Sequence, residues 1–148
     1  DVALTLPGPD ADAIFEVVRQ YRPTVFYAVP TLYGTMLHLA ERRAEAEGTA
    51  AVRDLMRSVR CCVSAGEPLP AAIFLRWQRL FGLEILDGIG STEMLQTFIS
   101  NRPGRVRPGS SGEVVPGYAA RIVDGSGSGS GRRTGGRPTP RRFGGRNG

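Results

Sequence analysis

The sequence predicts an α/β fold in which a mostly parallel sheet is flanked by helices. Two observations support this prediction. Short segments rich in β-branched and aromatic residues alternate with segments of helical periodicity, and glycine or proline stands at most of the borders between them. Such alternation is typical of parallel strands joined by right-handed helical crossovers. Ligands of open α/β sheets bind at the carboxyl ends of the strands, so we expect functional residues there.

The first third of the chain predicts helix, strand and helix. Asp10 is a candidate cap for a helix whose apolar residues recur at helical spacing until Pro23 ends it. Residues 24–29 are β-branched and aromatic, which predicts a buried strand. Pro30 suits the first turn of a second helix, and Gly48 ends that helix.

The same alternation continues toward residue 124. A short helix is predicted at residues 52–56, and a strong helix runs from Pro70 to Phe81, where Gly82 caps it. Trp77 lies on its apolar stripe, which indicates a core residue. The predicted strands of this part are residues 59–63, 84–86, 113–115 and 119–123, the last two around a Pro-Gly turn.

Charge and composition divide the chain at residue 124. The chain has 19 basic residues, all of them arginine, and 14 acidic ones, a net charge of +5. Residues 125–148 hold six of the arginines and no acid, which leaves 13 against 14 and a net charge of −1 for residues 1–124. We therefore predict a domain over residues 1–124 that does not bind nucleic acid by charge. Residues 125–148 are predicted to be a disordered tail, since a Gly-rich segment buries too little surface to order itself. The abrupt change also suggests an out-of-frame or truncated reading frame.

The remaining composition argues for a cytoplasmic location. No apolar run reaches the ~18 residues that a membrane helix needs. Cys61 and Cys62 are adjacent, so their side chains point to opposite faces of a strand and are expected to stay reduced. The first residues lack a starting Met and a basic flank, which indicates an internal piece of a longer chain.

Residues 64–70 form the first candidate binding loop. They read Ser-Ala-Gly-Glu-Pro-Leu-Pro and lie between a predicted strand and a predicted helix. Gly66 would let a flat ring approach the backbone closely. The alternative is a strand-to-helix connector without a ligand.

Residues 87–93 form the second candidate loop and read Asp-Gly-Ile-Gly-Ser-Thr-Glu. Its two glycines are expected to free the backbone, and Ser91 and Thr92 carry hydroxyls suited to phosphate oxygens. Glu93 offers the hard oxygen that Mg²⁺ takes from proteins when it binds nucleotide phosphates. The pattern is neither a dinucleotide fingerprint nor a Walker loop. The alternative is a Gly-rich turn with a capping hydroxyl and a solvated glutamate.

Together the two loops resemble the adenylate-forming (AMP-binding) superfamily of acyl- and aryl-CoA ligases. The second loop is similar to its Tyr-Gly-x-Thr-Glu signature, with Ile89 in place of the tyrosine. Residues 85–103, 29–33 and 112–124 are similar to benzoate-CoA and hydroxybenzoate-CoA ligases. The resemblance implies part of the large N-terminal domain, an aromatic acid, ATP, Mg²⁺ and CoA as reactants or cofactors, and a two-step reaction through an acyl-adenylate and AMP.

The resemblance also implies roles for individual residues. Thr92 contacts the α-phosphate and Glu93 binds Mg²⁺, and these two are the implied catalytic residues. The implied nucleotide-binding residues are Gly66, Glu67, Pro68, Asp87, Gly88, Ile89, Gly90, Ser91 and Thr92. The aryl-acid pocket is implied to be bordered by Gly90, Gln96 and Thr97. Gln96 stands where a histidine is expected in benzoate-CoA ligases, which allows a hydroxy- or amino-substituted ring, because Gln both donates and accepts hydrogen bonds.

The absence of lysine limits what this chain is expected to do alone. The family uses a phosphate loop ending in Lys and a catalytic Lys from a C-terminal domain, and the 148 residues contain none. We therefore predict no ligase turnover by this chain by itself. Two alternatives stay open: an RNA- or nucleotide-binding module that uses the Arg/Gly tail, and an α/β scaffold without a ligand.

Overall fold

The computed structural model describes residues 10–126, which contain four helices and five strands. The predicted α/β class is confirmed, with helices packed against a sheet. The helices of this part are α1 (Ala11–Tyr21), α2 (Pro30–Glu47), α3 (Thr49–Leu55) and α4 (Ala71–Phe81). The strands are β1 (Val25–Ala28), β2 (Cys61–Ser64), β3 (Ile85–Gly90), β4 (Thr97–Ser100) and β5 (Glu113–Val114).

The strand order follows the sequence order, β1-β2-β3-β4-β5. β1, β2 and β3 pair in parallel, whereas β3 with β4 and β4 with β5 pair antiparallel. The sheet of residues 10–126 is therefore mixed, which corrects the prediction of a mostly parallel sheet. The cause is β3, which continues to Gly90 and returns as β4 through a hairpin instead of leading into another crossover helix.

The predicted helix ends are confirmed where their caps were identified. The Asp10 side chain accepts a hydrogen bond from the backbone N–H of Asp12 at 3.1 Å, which caps α1. Gly82 ends α4 in the left-handed conformation with φ 72°, and its N–H donates to the carbonyl of Gln78.

Two predictions about strands were wrong. Residues 24–29 were expected to be buried, but Val25 and Tyr27 of β1 are 46% and 61% exposed. The sheet face opposite the helices is left uncovered by residues 10–126, so alternate residues of this strand lie open. Residues 119–123 were expected to be a strand, but only Ala120 makes a strand bridge. The turn at Pro116 is confirmed. The predicted tail lies outside the described residues apart from its first two.

An aromatic cluster fills the space between the sheet and the helices. Trp77 of α4 is fully buried, and its ring lies 4.9 Å from Tyr33 and 4.4 Å from Phe81. Phe15 of α1 is also fully buried and lies 6.3 Å from Phe81. This cluster joins three helices to the sheet, and it confirms Trp77 as a core residue.

Tyr33 ties the cluster to the parallel strands. Its hydroxyl lies 3.2 Å from the carbonyl oxygen of Phe26 and 3.0 Å from that of Val63, so it bridges β1 and β2. Burial raises the pKa of Tyr33 far above its usual range. Beside it, burial raises the pKa of the Cys62 thiol to about 12, although the Trp77 indole lowers it. Cys61 and Cys62 both carry free thiols; Cys62 is buried, but Cys61 is only half-buried.

The Cys62 thiol is expected to make stability fall with rising pH above pH 9. In the unfolded chain the thiol ionises near its ordinary value of 9.0, but in the folded chain it stays protonated to about 12. The unfolded state therefore binds fewer protons in this window, and up to ~4 kcal/mol of stability is lost across it. Urea unfolding of the full chain between pH 7 and 11 measures the slope.

Cys62→Ala should reduce that slope most clearly between pH 9 and 10, below the range in which Tyr33 of the unfolded chain ionises, and Cys61→Ala should not. Cys61 is the matched control because it is the preceding residue of the same strand and is only half-buried. The slopes are compared instead of the absolute stabilities, since the alanine also leaves a cavity. Equal slopes in the two variants would contradict this assignment.

Within residues 10–126, none of the helices combines the length and the apolarity needed to span a lipid bilayer.

Candidate functional site

The two candidate loops leave the same edge of the sheet. β2 and β3 are parallel neighbours, and Ser64 at the end of β2 pairs in register with Asp87 of β3. The chain after Ser64 and the chain after Asp87 therefore emerge side by side at the carboxyl edge of the parallel strands. This is the edge where α/β sheets bind ligands, as predicted for these segments.

The first loop exposes the residues that were predicted to contact a nucleotide. Gly66, Glu67 and Pro68 are all exposed, whereas Leu69 is 5% exposed and anchors the loop in the core. Gly66 has φ 96°, a conformation that residues with a Cβ rarely adopt. The Glu67 carboxylate accepts a hydrogen bond of 2.9 Å from the Thr31 hydroxyl at the start of α2.

The second motif is half strand and half turn, which corrects the prediction of a continuous loop. Residues 87–90 belong to β3, and the turn begins at Ser91. The register shifts between Ile89 and Gly90, which marks a bulge. Bulges are common next to functional sites, where they bend the strand and change the direction of its side chains.

The two motif glycines serve close strand packing. Neither Gly88 nor Gly90 is among the residues with positive φ. A Cβ at Gly88 would lie 2.8 Å from Cγ2 of Thr97 and 2.9 Å from the carbonyl oxygen of Ile99. A Cβ at Gly90 would lie 2.9 Å from the carbonyl oxygen of Gln96. The glycines are thus required by the approach of β4, and the expectation that they free the backbone is corrected.

Asp87 is buried at the base of this edge. Its side chain is 4% exposed overall, and Oδ2 accepts a 2.9 Å hydrogen bond from the Ser111 hydroxyl. Oδ1 has no hydrogen-bond partner among residues 10–126. The Asp87 carbonyl accepts hydrogen bonds from the backbone N–H and the side-chain amide of Asn101, at 3.0 and 3.2 Å. These contacts of Asp87 thus fix the middle of β3, whereas Ile89 and Gly90 at the end of the strand are exposed.

The turn over residues 91–96 is closed by local hydrogen bonds. The Ser91 hydroxyl accepts from the N–H of Met94 at 3.3 Å, and the N–H of Leu95 donates to the carbonyl of Thr92 at 3.1 Å. Leu95 has φ 66° and is 92% exposed, an uncommon conformation for a residue with a side chain. From outside the turn, the Tyr118 hydroxyl donates to the carbonyl of Met94 at 3.1 Å.

Glu93 presents an ionised carboxylate at the tip of this turn. Its side chain is exposed, and a hydrogen bond from its own backbone N–H and a second from Ser91 hold the pKa of the carboxyl below its usual value. The group is therefore charged throughout the neutral range. Among residues 10–126, no three His, Cys, Asp or Glu side chains are close enough to form a metal site of their own. One exposed carboxylate fits Mg²⁺ that is bound mainly by nucleotide phosphates.

The residues predicted to border an aryl-acid pocket come together at the hairpin. Gly90 pairs with Thr97 across β3 and β4, and Gln96 precedes Thr97 at the end of the turn. Gln96 is exposed and Thr97 is half-buried. The hairpin therefore places all three within one short stretch of the same edge.

Four residues of this edge were not identified from the sequence as site residues: Thr31, Asn101, Ser111 and Tyr118. Thr31, Asn101 and Tyr118 lie within segments that resemble benzoate-CoA ligases, but the sequence pattern assigned none of them a role. Asn101 and Ser111 act through backbone groups and through Asp87, contacts that depend on the folding of residues 101–112.

The family model described as AMP-binding enzyme matches residues 2–136. This chain belongs to the AMP-binding enzyme family. The resemblance inferred from the two loops is thereby confirmed. The match also extends 12 residues beyond Asp124, and the domain boundary at residue 124 remains a prediction.

Several relatives within the AMP-binding family are named as ligases of aromatic acids. A benzoate–CoA ligase of Thauera aromatica is 48% identical over 120 residues, which cover 81% of this chain and 21% of that protein. A 4-hydroxybenzoate–CoA/benzoate–CoA ligase of Rhodopseudomonas palustris is 46% identical, over 78% of this chain and 20% of that protein. A crystal structure of an anthranilate–CoA ligase in complex with anthranoyl-AMP has 39% identity and a TM-score of 0.71, and the match covers 85% of this chain and 23% of that one.

The chain thus spans about a fifth of the length of the AMP-binding relatives that it matches. The anthranilate–CoA ligase of this comparison is solved with an acyl-adenylate, anthranoyl-AMP. These matches establish the family of this chain and its fold as part of the large domain.

Proposed function

We propose that this chain is part of an ATP-dependent aryl acid–CoA ligase and forms one wall of its adenylate site. The observation that carries the proposal is the exposed Glu93 carboxylate at the turn after β3, beside the exposed Gly66–Pro68 loop at the end of β2. The relatives named above support it, because they are CoA ligases of benzoate, hydroxybenzoate and anthranilate. In the proposed reaction a carboxylate and ATP give an acyl-adenylate and pyrophosphate, and the thiol of CoA then displaces AMP to form the thioester.

The two loops contact different parts of the nucleotide. Gly66, Glu67 and Pro68 lie along the adenine and its ribose. The strand residues Asp87, Gly88 and Ile89 flank the adenine, with the Asp87 carboxylate supporting the strand from below. Gly90, Ser91 and Thr92 continue toward the phosphates, and the Thr92 hydroxyl donates to the α-phosphate. Adenylyl transfer needs charge neutralisation and alignment more than a protein nucleophile, which suits these residue types.

Glu93 holds Mg²⁺ in this proposal. Its exposed and ionised carboxylate is a hard oxygen ligand, the kind that Mg²⁺ takes from proteins. When bound, the ion supplies charge neutralisation at the phosphates. The neighbouring Ser91 side chain helps to lower the pKa of this carboxyl and so to keep it ionised.

The acid substrate is an aromatic carboxylate that lies against Gly90, Gln96 and Thr97. The exposed Gln96 side chain can donate to a ring hydroxyl or accept from a ring amine, so a hydroxy- or aminobenzoate fits better than benzoate itself. The alternative of a nucleic-acid-binding module concerns the Arg/Gly tail, nearly all of which lies outside the described residues, and the relatives named above do not favour it. The free thiols fit the cytoplasm, where we place the protein.

Mg²⁺-dependent nucleotide binding tests the proposal. Calorimetry of the full 148-residue chain with ATP should show binding that Mg²⁺ strengthens. Glu93→Gln should weaken the binding of ATP in the presence of Mg²⁺ by about tenfold, since a neutral amide is a poor Mg²⁺ ligand. Binding is the readout because the chain contains no lysine to complete the reaction.

Glu47→Gln is the matched control. Glu47 is also an exposed glutamate, but it ends α2, whose start and not its end lies at the site edge. This variant changes the net charge by the same amount and should bind Mg²⁺-ATP as the parent chain does. No ATP binding by the parent chain, or equal losses in both variants, would refute the proposed site.

A further inference from the structure

The start of α2 lies directly beside the Gly66–Pro68 loop. β1 and β2 are parallel and in register, with Ala28 opposite Ser64, so the chain leaves both strands at the same edge. Val29, the residue after β1, has its Cγ1 3.7 Å from the position that a Cβ of Gly66 would occupy. The junction into α2 is therefore a direct neighbour of a loop to which we assign adenine and ribose contacts.

One side-chain hydrogen bond connects the two junctions. The Thr31 hydroxyl donates to Oε2 of Glu67 at 2.9 Å, across 36 residues of sequence. Within residues 10–126 this is the only hydrogen bond that the Glu67 side chain makes. In the same part of the chain, residues 66–68 belong to no helix or strand and make no backbone-to-backbone hydrogen bond. The Glu67 side chain is thus the polar attachment of this loop.

Thr31 stands on a rigid support. The N–H groups of Leu32 and Tyr33 both donate to the carbonyl of Val29, which closes the first turn of α2. Tyr33 is fully buried and bridges β1 and β2. The Thr31 hydroxyl is therefore held in place by the core, whereas residues 66–68, which precede the buried Leu69, are exposed.

We propose that Thr31 is a positioning residue that fixes the Glu67 carboxylate for contact with the ribose of the bound nucleotide. One oxygen of Glu67 accepts from Thr31, and the other remains to accept a ribose hydroxyl. Thr31 acts only through Glu67 and does not itself touch the nucleotide. The inference rests on the proposed function of the same edge and adds to it a residue on a different helix.

The first experiment examines the loop without a ligand. Backbone ¹⁵N order parameters of Gly66 and Glu67 should fall in Thr31→Val, since valine keeps the shape and removes the donor. Thr31→Ser should restore them. Thr35→Val is the matched control: Thr35 is also exposed on α2 and donates to the backbone carbonyl of Thr31, but has no contact with Glu67.

The second experiment measures AMP affinity in the absence of Mg²⁺, so that Glu93 does not contribute. Thr31→Val should bind AMP roughly three- to tenfold more weakly, the effect of one hydrogen bond to a charged group at an exposed site. Thr31→Ser and Thr35→Val should bind as the parent does, and all variants should keep the parent's unfolding midpoint in urea. In a Glu67→Ala background, Thr31→Val should have no further effect, because the interaction is already lost.

The outcomes separate this inference from the proposed function. If the parent chain binds AMP and Thr31→Val binds it equally well, the positioning role is overturned and the nucleotide site stands. Additive losses from Thr31→Val and Glu67→Ala also overturn it, because Thr31 would then act independently. If the parent binds no AMP, the proposed function fails and the ribose role with it, while the order parameters still show whether Thr31 holds the loop.

Discussion

Replacing Trp77 by alanine is expected to destabilise the chain by about 3–5 kcal/mol, the range for removal of a large buried aromatic side chain. Trp77 is fully buried and packs between the rings of Tyr33 and Phe81. Small domains have a total stability of only about 5–15 kcal/mol, so this single change should remove a large share of the total. Because Tyr33 joins β1 to β2, the loss should spread to the edge that carries both candidate loops.

Leu75→Ala is the matched control for Trp77→Ala. Leu75 lies on the same helix but is 49% exposed, and its truncation should cost about 1 kcal/mol or less. Urea unfolding followed by far-UV circular dichroism measures both, since Trp77 is the only tryptophan and its fluorescence is lost in the variant. A Trp77→Ala cost no larger than that of Leu75→Ala would contradict the central role of the aromatic cluster.

Replacing Gly112 by alanine is expected to have the second large effect. A Cβ at Gly112 would lie 2.2 Å from both the carbonyl carbon and the oxygen of Ser100, and 2.3 Å from the N of Asn101. Such distances require the backbone to move, and Gly112 also has φ 95°. Overpacking costs roughly 1–3 kcal/mol and the left-handed conformation roughly 1–2 kcal/mol. We expect a total loss of about 2–5 kcal/mol, with separation of β5 from β4.

Gly117→Ala is the matched control that shows how much of the loss at Gly112 is steric. Gly117 has φ 98°, close to that of Gly112, but apart from its chain neighbours no atom of residues 10–126 lies within 4 Å of its added Cβ. It should therefore lose only the conformational contribution of roughly 1–2 kcal/mol. Urea unfolding measures the difference between the two variants, and amide chemical shifts of Ser100 report the pairing of β4. Equal losses would show that backbone strain alone accounts for the effect at Gly112.

For the motif at residues 87–93, the position in the fold could be predicted from the sequence, but the role of its glycines could not. Its position after a strand at a ligand-binding edge was predictable, because helix and strand periodicities differ and parallel strands end together. The reason for its glycines was not. Gly88 and Gly90 are required by the close approach of Thr97, Ile99 and Gln96. Thr97 and Ile99 belong to β4, a strand that was not predicted, so this contact left no local signal in the sequence.

The helices illustrate the opposite case. The start of α1 at Asp10 and the end of α4 at Gly82 were both predicted, because caps depend on residues within a few positions of each other. The exposure of Val25 and Tyr27 was not predicted, because burial of a strand face depends on what lies across from it.

By itself, the sequence determined the α/β class, the helices with their caps, and the two loops that mark the AMP-binding family. These features depend on periodicity and on residue types at close spacing, which one chain displays directly. Only the tertiary structure decided the mixed strand order, the burial of Asp87 against Ser111, and the hydrogen bond from Thr31 to Glu67. Each of these joins residues that are distant in sequence, and such contacts follow from the path of the folded chain.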